Sequence, residues 1–167
     1  MNNNPCFPER HASVPPDGSL IRYPVTDTVL LAGQPEPDDW AHLVAQGFRH
    51  VINIRSDPER AAVQARNAEA AGLHYTYLPL PAYELEAEHL AHFNAALADA
   101  GDEKVVIHCR TASRVALLWM LRRMISEGWS QDGAEQELRA AGYDDDAMET
   151  FQFCSEDFFE RTGALTR

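Results

Sequence analysis

Runs of apolar residues alternate with amphipathic, alanine-rich stretches along most of the chain, and turn residues punctuate the changes. Ser19–Val25 and Thr28–Leu31 read as short strands, leading into Gly33-Gln34-Pro35. Pro37 opens a helix that stops at Gly47, with Trp40, Leu43 and Val44 on its apolar face. His50–Ile54 is β-rich. Pro58–Ala71, rich in Ala, Glu, Arg and Gln, reads as a helix closed by Gly72. A strand over Leu73–Leu78 is followed by a loop with Pro79 and Pro81, and Glu86–Ala100 reads as the next helix. Lys104–His108 is a short apolar strand of the kind buried in a parallel sheet. Ser113–Ser126 is a helix apolar nearly all round, which places it in the middle of the domain. Ser130 caps a helix reaching Ala141, and an aromatic, acidic helix from about Ala147 closes the chain, with Asp144–Asp146 at its start. The alternation predicts one α/β domain over 19–167: a mostly parallel sheet of four or five strands flanked by helices. Residues 1–18, with four prolines and no periodicity, read as a loose N-terminal arm.

At 167 residues the chain buries a sizeable core without disulfides or metal. No apolar run approaches a bilayer span, and the first ten residues lack the order of a secretory signal, so the expectation is a cytoplasmic protein without membrane contact. A formal charge of −12 argues against nucleic acid as a partner and favours a small anion bound by local groups over a polyanion. Cys6, Cys109 and Cys154 form neither a disulfide framework nor a zinc pair. His89 and His92 lack a third ligand, and the acidic run lacks the remainder of a calcium loop, so neither a metal nor another cofactor is expected.

The chemistry concentrates in His108-Cys109-Arg110-Thr111-Ala112-Ser113-Arg114, between a buried strand and a buried helix. Ligands bind at this end of a strand in open α/β sheets. Loop amides and the helix N-terminus place positive potential around Cys109, which favours the thiolate as nucleophile. Arg114 is suited to hold two oxygens of an anion. A buried structural thiol is the competing reading of Cys109, and a surface ion pair that of Arg114. His108 is read as an orienter of the loop, and Arg110 as an extra cation beside the site or in solvent. Asn53 and Arg55, at the end of a strand, either line the same mouth or serve the loop backbone and solvent. The Gly33-Gln34-Pro35 turn is read as structural first.

This strand–His-Cys–loop–Arg–helix arrangement resembles the active-site loop of tyrosine and dual-specificity phosphatases. It is more similar still to a bacterial family of phosphatase-like domains related to the part attached to β-lactamase-like hydrolases. The resemblance rests on Ala32-Gly33-Gln34-Pro35, on Gly47-Phe48 with Val51-Ile52-Asn53-Ile54-Arg55, and on His108-Cys109 through Arg114. It implies phosphoester hydrolysis without metal through a cysteinyl-phosphate, with Cys109 and Arg114 catalytic and His108, Arg110, Thr111, Ala112 and Ser113 around the anion. It also implies a general acid, commonly Asp on a neighbouring loop. The loop after Leu78 offers Glu84 and Glu86 instead, and Glu84 is nominated. The chain departs from the main phosphatase pattern in three places. Four residues separate Cys109 from Arg114 where five are usual, Ala112 stands where glycine is usual, and Val115 replaces a hydroxyl residue for which Thr111 or Ser113 would have to substitute. The shorter spacing also suits a rhodanese-like sulfurtransferase carrying a persulfide on Cys109. The other departures keep a non-catalytic anion-binding or interaction module open. A phosphorylated protein or small molecule is the expected partner, with oligomeric state unassigned.

Overall fold

The computed structural model describes residues 20–81 and 84–164; the expected N-terminal arm and Cys6 lie outside them. Five strands form one sheet in the order β1-β2-β5-β3-β4. They are β1 (Arg22–Pro24), β2 (Val29–Ala32), β3 (Phe48–Asn53), β4 (His74–Tyr77) and β5 (Lys104–His108). β2, β5, β3 and β4 run parallel, and only β1 is antiparallel, paired with β2 through a tight turn at the edge. The sheet is thus mostly parallel, as the strand–helix alternation requires.

Six α-helices connect and cover these strands: α1 (Asp39–Ala45), α2 (Pro58–Ala70), α3 (Ala87–Ala100), α4 (Ser113–Leu121), α5 (Gln131–Ala141) and α6 (Asp145–Thr162). Successive residues of a strand face opposite sides, so the central strands build two cores. Leu31, Ile52 and Ile107 pack with the helices after β4, among them Phe93, Leu118 and Phe151. Leu30, Val51 and Val106 pack on the other side against Trp40, Leu43 and Ala68. β5 is apolar on both faces because both are covered.

The helix termini follow local chemistry. Pro58 occupies the first turn of α2, and the Asp57 side chain accepts from the Arg60 N–H at 3.2 Å. Ser130 Oγ accepts from the Gly133 N–H at 3.1 Å, and Asp144 Oδ1 from the Ala147 N–H at 2.8 Å. The acidic run Asp144–Asp146 is therefore a helix start, with α6 beginning two residues earlier than the aromatic pattern suggests. The helix expected from Pro37 also differs, because Pro37 lies in the turn before α1.

α4 buries eight of its nine residues, leaving only Arg114 less than fully buried. The helix expected through Ser126 is α-helical only to Leu121 and continues as a π-helical turn, Arg122–Ser126. The change of winding coincides with a polar cluster in which Arg123 meets Glu127 and Glu137.

Candidate active site

The register brings the carboxyl ends of three strands level, pairing Ala32 with His108 and Asn53 with His108. Whatever follows these residues emerges at one edge of the sheet: Gly33-Gln34, Ile54-Arg55 and Cys109. The Cys109 N–H donates to the Ala32 carbonyl at 3.3 Å, and the Ile54 N–H to the His108 carbonyl at 3.1 Å. The chain then turns through Arg110–Ala112 and enters α4 at Ser113. Cys109 is 1% exposed and stands between a strand end and a helix start.

The loop is pinned from outside by the Gly-Gln-Pro turn. Gly33 forms an isolated bridge with Thr111, and the Gln34 N–H donates to the Arg110 carbonyl at 3.1 Å. A Cβ on Gly33 would stand 3.1 Å from that carbonyl oxygen and 3.2 Å from Ile21 Cβ, so glycine is what permits this close approach. The Gln34 side chain also acts at this edge, where its Oε1 accepts from Arg55 at 2.7 Å and holds that guanidinium in place.

Arg114, one residue into α4, reaches toward the segments that follow β3 and β4. Its Nη2 donates to the Leu80 carbonyl at 2.6 Å and the Ile54 carbonyl at 3.2 Å. Burial lowers its pKa, the negative charge of Cys109 works against that, and Arg55 adds to the lowering. Arg55 shows the same pattern: burial is the chief cause of its lowered pKa, Arg60 and Arg110 add to it, and Asp57 and Cys109 oppose it. The thiol position thus lies within the electrostatic reach of two arginines, in a chain whose overall charge is −12.

Ala112 takes the left-handed conformation, φ 70° and ψ 10°, and is fully buried. An L-residue with a Cβ is strained there by about 1–2 kcal/mol, where glycine would be at ease. Its carbonyl accepts from the Tyr143 hydroxyl at 2.7 Å. Among the described residues only one other non-glycine has positive φ: Glu84, at 54°. Glu84 is exposed, on the loop whose Leu80 carbonyl Arg114 holds. Glu86 precedes α3, and its backbone N–H donates to His89 Nδ1 at 2.8 Å, so His89 serves as part of a helix cap.

His108 is completely buried, with its ring 6.4 Å from that of Trp40 and inclined to it. Its Nδ1 lies 3.4 Å from the Cys109 carbonyl oxygen, an acceptor, so the hydrogen sits on Nδ1. Its Nε2 is buried without a partner. Burial pushes its pKa down to about 4; the bond to Cys109 opposes this, and Arg55 reinforces it. The ring is therefore neutral at ordinary pH.

Asn53 reaches the right edge but turns inward. Its Nδ2 donates to the Tyr75 hydroxyl at 2.8 Å, and its Oδ1 accepts from the Arg55 N–H at 2.9 Å. Tyr75 in turn donates to Gln64 Oε1 at 3.2 Å. Asn53 is 2% exposed and shapes the backbone of Arg55 from behind. Thr111 Oγ1 donates to the buried Ser113 Oγ at 3.3 Å, so the two hydroxyls share one flank of the loop. Arg110 is exposed. Sequence reasoning overlooked the Tyr75–Gln64 pair and Tyr143, which reach the site only through tertiary packing. Among the described residues no three His, Cys, Asp or Glu side chains gather into a metal-sized cluster, and no helix is long and apolar enough to cross a membrane.

Comparison with known proteins places the chain. Residues 21–126 match the family described as beta-lactamase hydrolase-like protein, phosphatase-like domain. The chain belongs to that family. Beta-lactamase hydrolase-like proteins of Xylella fastidiosa and Agrobacterium fabrum are each 26% identical to it over 125 residues, 72% of this chain. The match spans 29% of the length of these relatives. Among solved structures, TpbA of P. aeruginosa superposes with a TM-score of 0.63 at 22% identity, covering 87% of this chain and 91% of that one. TpbA in complex with pTyr gives a TM-score of 0.61 at 20% identity, covering 87% and 88%. Tk-PTP in its active form gives 0.62 at 21% identity, covering 81% and 96%. The family and the fold are therefore those that the Cys–Arg loop implied.

Proposed function

We propose that this domain hydrolyses phosphate monoesters through a cysteinyl-phosphate. The observation that carries the reading is the convergence at one sheet edge of Cys109, the α4 N-terminus and Arg114, whose guanidinium is held by the Ile54 and Leu80 carbonyls within electrostatic reach of Cys109. In this reading the Cys109 thiolate attacks phosphorus. An S–P bond forms as the ester P–O bond breaks, and the departing oxygen takes a proton. Loop amides and Arg114 hold the phosphoryl oxygens as charge moves onto them. Water then attacks the cysteinyl-phosphate, releasing phosphate and restoring the thiolate. No step calls for a metal.

Arg55, fixed by Gln34, belongs to the mouth as a binding cation, and Arg110 is placed beside it. His108 and Asn53 are positioning residues, since both are buried and bonded to the backbone of the loops they serve. Ser113 and Thr111 supply the hydroxyls that Val115 lacks. Glu84 is the nominated acid for the leaving oxygen, from the loop that Arg114 grips. The pTyr complex of TpbA, a protein of the same fold, supports an aryl phosphate such as phosphotyrosine as the substrate class.

Hydrolysis of a generic aryl phosphate by the pure protein tests the reading. Turnover abolished in Cys109→Ser, with a trapped phosphocysteine seen by rapid acid quench of the parent, is the expected result. A parent no faster than Cys109→Ser at mildly acidic and neutral pH would sink it. Cyanide-dependent release of thiocyanate from thiosulfate by that same parent would assign Cys109 to sulfur transfer.

A further inference from the structure

Tyr143 lies beyond the stretch that matches the family, in the link between α5 and α6, yet it reaches the centre of the Cys109 loop. It is 4% exposed, and its hydroxyl donates to the carbonyl of Ala112, the strained residue of the loop, at 2.7 Å. Its ring is clamped: Tyr23 of β1 stacks on it at 3.8 Å between centroids and 15° between planes, and Phe151 of α6 meets it edge-on at 5.4 Å. Gly142, at φ 124°, makes room for the stack, since a Cβ there would come 3.3 Å from the Tyr23 ring. Burial, then the charge of Cys109, then Tyr23 push the Tyr143 pKa well above its ordinary value, so the phenol keeps its proton and remains a donor.

A trans peptide points its carbonyl and its N–H in opposite directions. Fixing the Ala112 oxygen on the Tyr143 side therefore fixes the Ser113 N–H on the other side. That N–H is the first of α4, among those with no acceptor inside the helix. On the upstream flank the Gln34 N–H holds the Arg110 carbonyl. The residue that prefers to leave its left-handed conformation thus sits between two clamped carbonyls, at Arg110 and Ala112.

We propose that Tyr143 is a positioning residue: its hydroxyl keeps Ala112, and with it the amides around Cys109, in anion-binding shape where the chain lacks the usual glycine. Only the turnover arm of its test rests on the phosphatase reading.

The test uses Tyr143→Phe, which keeps the clamped ring and removes the hydroxyl, alone and combined with Ala112→Gly. Iodoacetamide labelling of Cys109, localised by peptide mass spectrometry to separate it from Cys6 and Cys154, is followed against pH and against inorganic phosphate. Tyr143→Phe should move the labelling profile to higher pH, weaken protection by phosphate, and lower kcat/KM for an aryl phosphate about tenfold. In the Ala112→Gly background the same change should cost much less, because glycine holds the left-handed conformation unaided. An unmoved labelling profile with undiminished phosphate protection in Tyr143→Phe would overturn the proposal. So would equal losses in the alanine and glycine backgrounds. A parent protein without turnover would remove the phosphatase reading alone, and the labelling measurements would still decide this one.

Discussion

Arg114 and Arg123 stand nine residues apart on one continuous helical run, and the protein treats them in opposite ways. Arg123, in the π-helical turn, is met by two carboxylates: Glu137 at 2.7 Å and Glu127 at 2.8 Å. Trp119 and Trp129 lie under its guanidinium at 4.7 and 4.1 Å, and Trp119 Nε1 donates to the same Glu137 at 2.6 Å. Burial pulls its pKa down, but the bonds and charges of Glu137 and Glu127 outweigh burial and raise it. Arg114 donates to two carbonyls, and burial wins: its pKa is lowered, with Cys109 the negative group that opposes the fall. One charge is answered by carboxylates; the other is held by the Ile54 and Leu80 carbonyls, within electrostatic reach of the thiol. A buried cation whose opposing charge is a cysteine marks a candidate site, whereas one wrapped in carboxylates and indoles is part of the structure.

The sharpest way to break this contrast is to remove each cation in turn. Arg114→Ala should lower kcat/KM for an aryl phosphate by roughly 10²–10³-fold, as loss of a transition-state donor does, while leaving thermal stability little changed. Arg123→Ala should do the reverse. It leaves Glu137 with only the Trp119 N–H and Glu127 with only Arg122, and should cost about 2 kcal/mol of stability in a denaturant titration, with kcat/KM within about twofold of the parent. If both variants lost activity alike, or both lost only stability, the division between the two arginines would be wrong.

Much of the contrast is legible along the chain, and the reasons are local. The apolar run Val105–Ile107 and the cap signals at Pro58, Ser130 and Asp144 depend on near neighbours, so the sheet and helices follow from the sequence pattern. Cys109 and Arg114 are close in sequence, and the loop must bring them near one another. Left-handed Ala112 was foreseeable only through the family resemblance, in which glycine usually stands at that position. By contrast, Asn53 offered two readings that only its partners separate: Tyr75 and the Arg55 N–H lie 22 and two residues away. Tyr143 gives no local signal at all, since its partner is 31 residues upstream. The π-helical turn is equally hidden, because its apolar periodicity continues that of α4.

A gentler test uses pH, which reads the cost of keeping His108 neutral beside the site. Folded, His108 takes a proton only near pH 4; unfolded, it does so near the ordinary 6.5. Between those values the unfolded chain binds the extra proton, so stability rises with pH across the window. The contribution is complete above pH 6.5 and is lost as pH falls toward 4, amounting to about 3 kcal/mol at full extent. Chemical denaturation at steps from about pH 7 to about pH 4.5 should show this decline. His108→Gln, which retains a donor for the Cys109 carbonyl and does not titrate in this range, should flatten it. An equal slope in the variant would move the acid sensitivity elsewhere.

The smallest effect expected is also the most specific to this chain. Ala112 holds φ 70° with its Cβ in a fully buried place, and the clamps at Arg110 and Ala112 offset the strain. Ala112→Gly removes the steric cost of about 1–2 kcal/mol but adds backbone freedom to the unfolded chain, so a net gain of about 1 kcal/mol in denaturant stability is expected. The gain should reside at the loop and leave the Arg123 cluster untouched, so that it adds to the loss from Arg123→Ala without coupling. Destabilisation by Ala112→Gly would mean that the buried methyl group contributes more through packing than its conformation costs. The loop would then be as much a part of the core as the π-helical turn is, and the difference between the two regions would rest on charge alone.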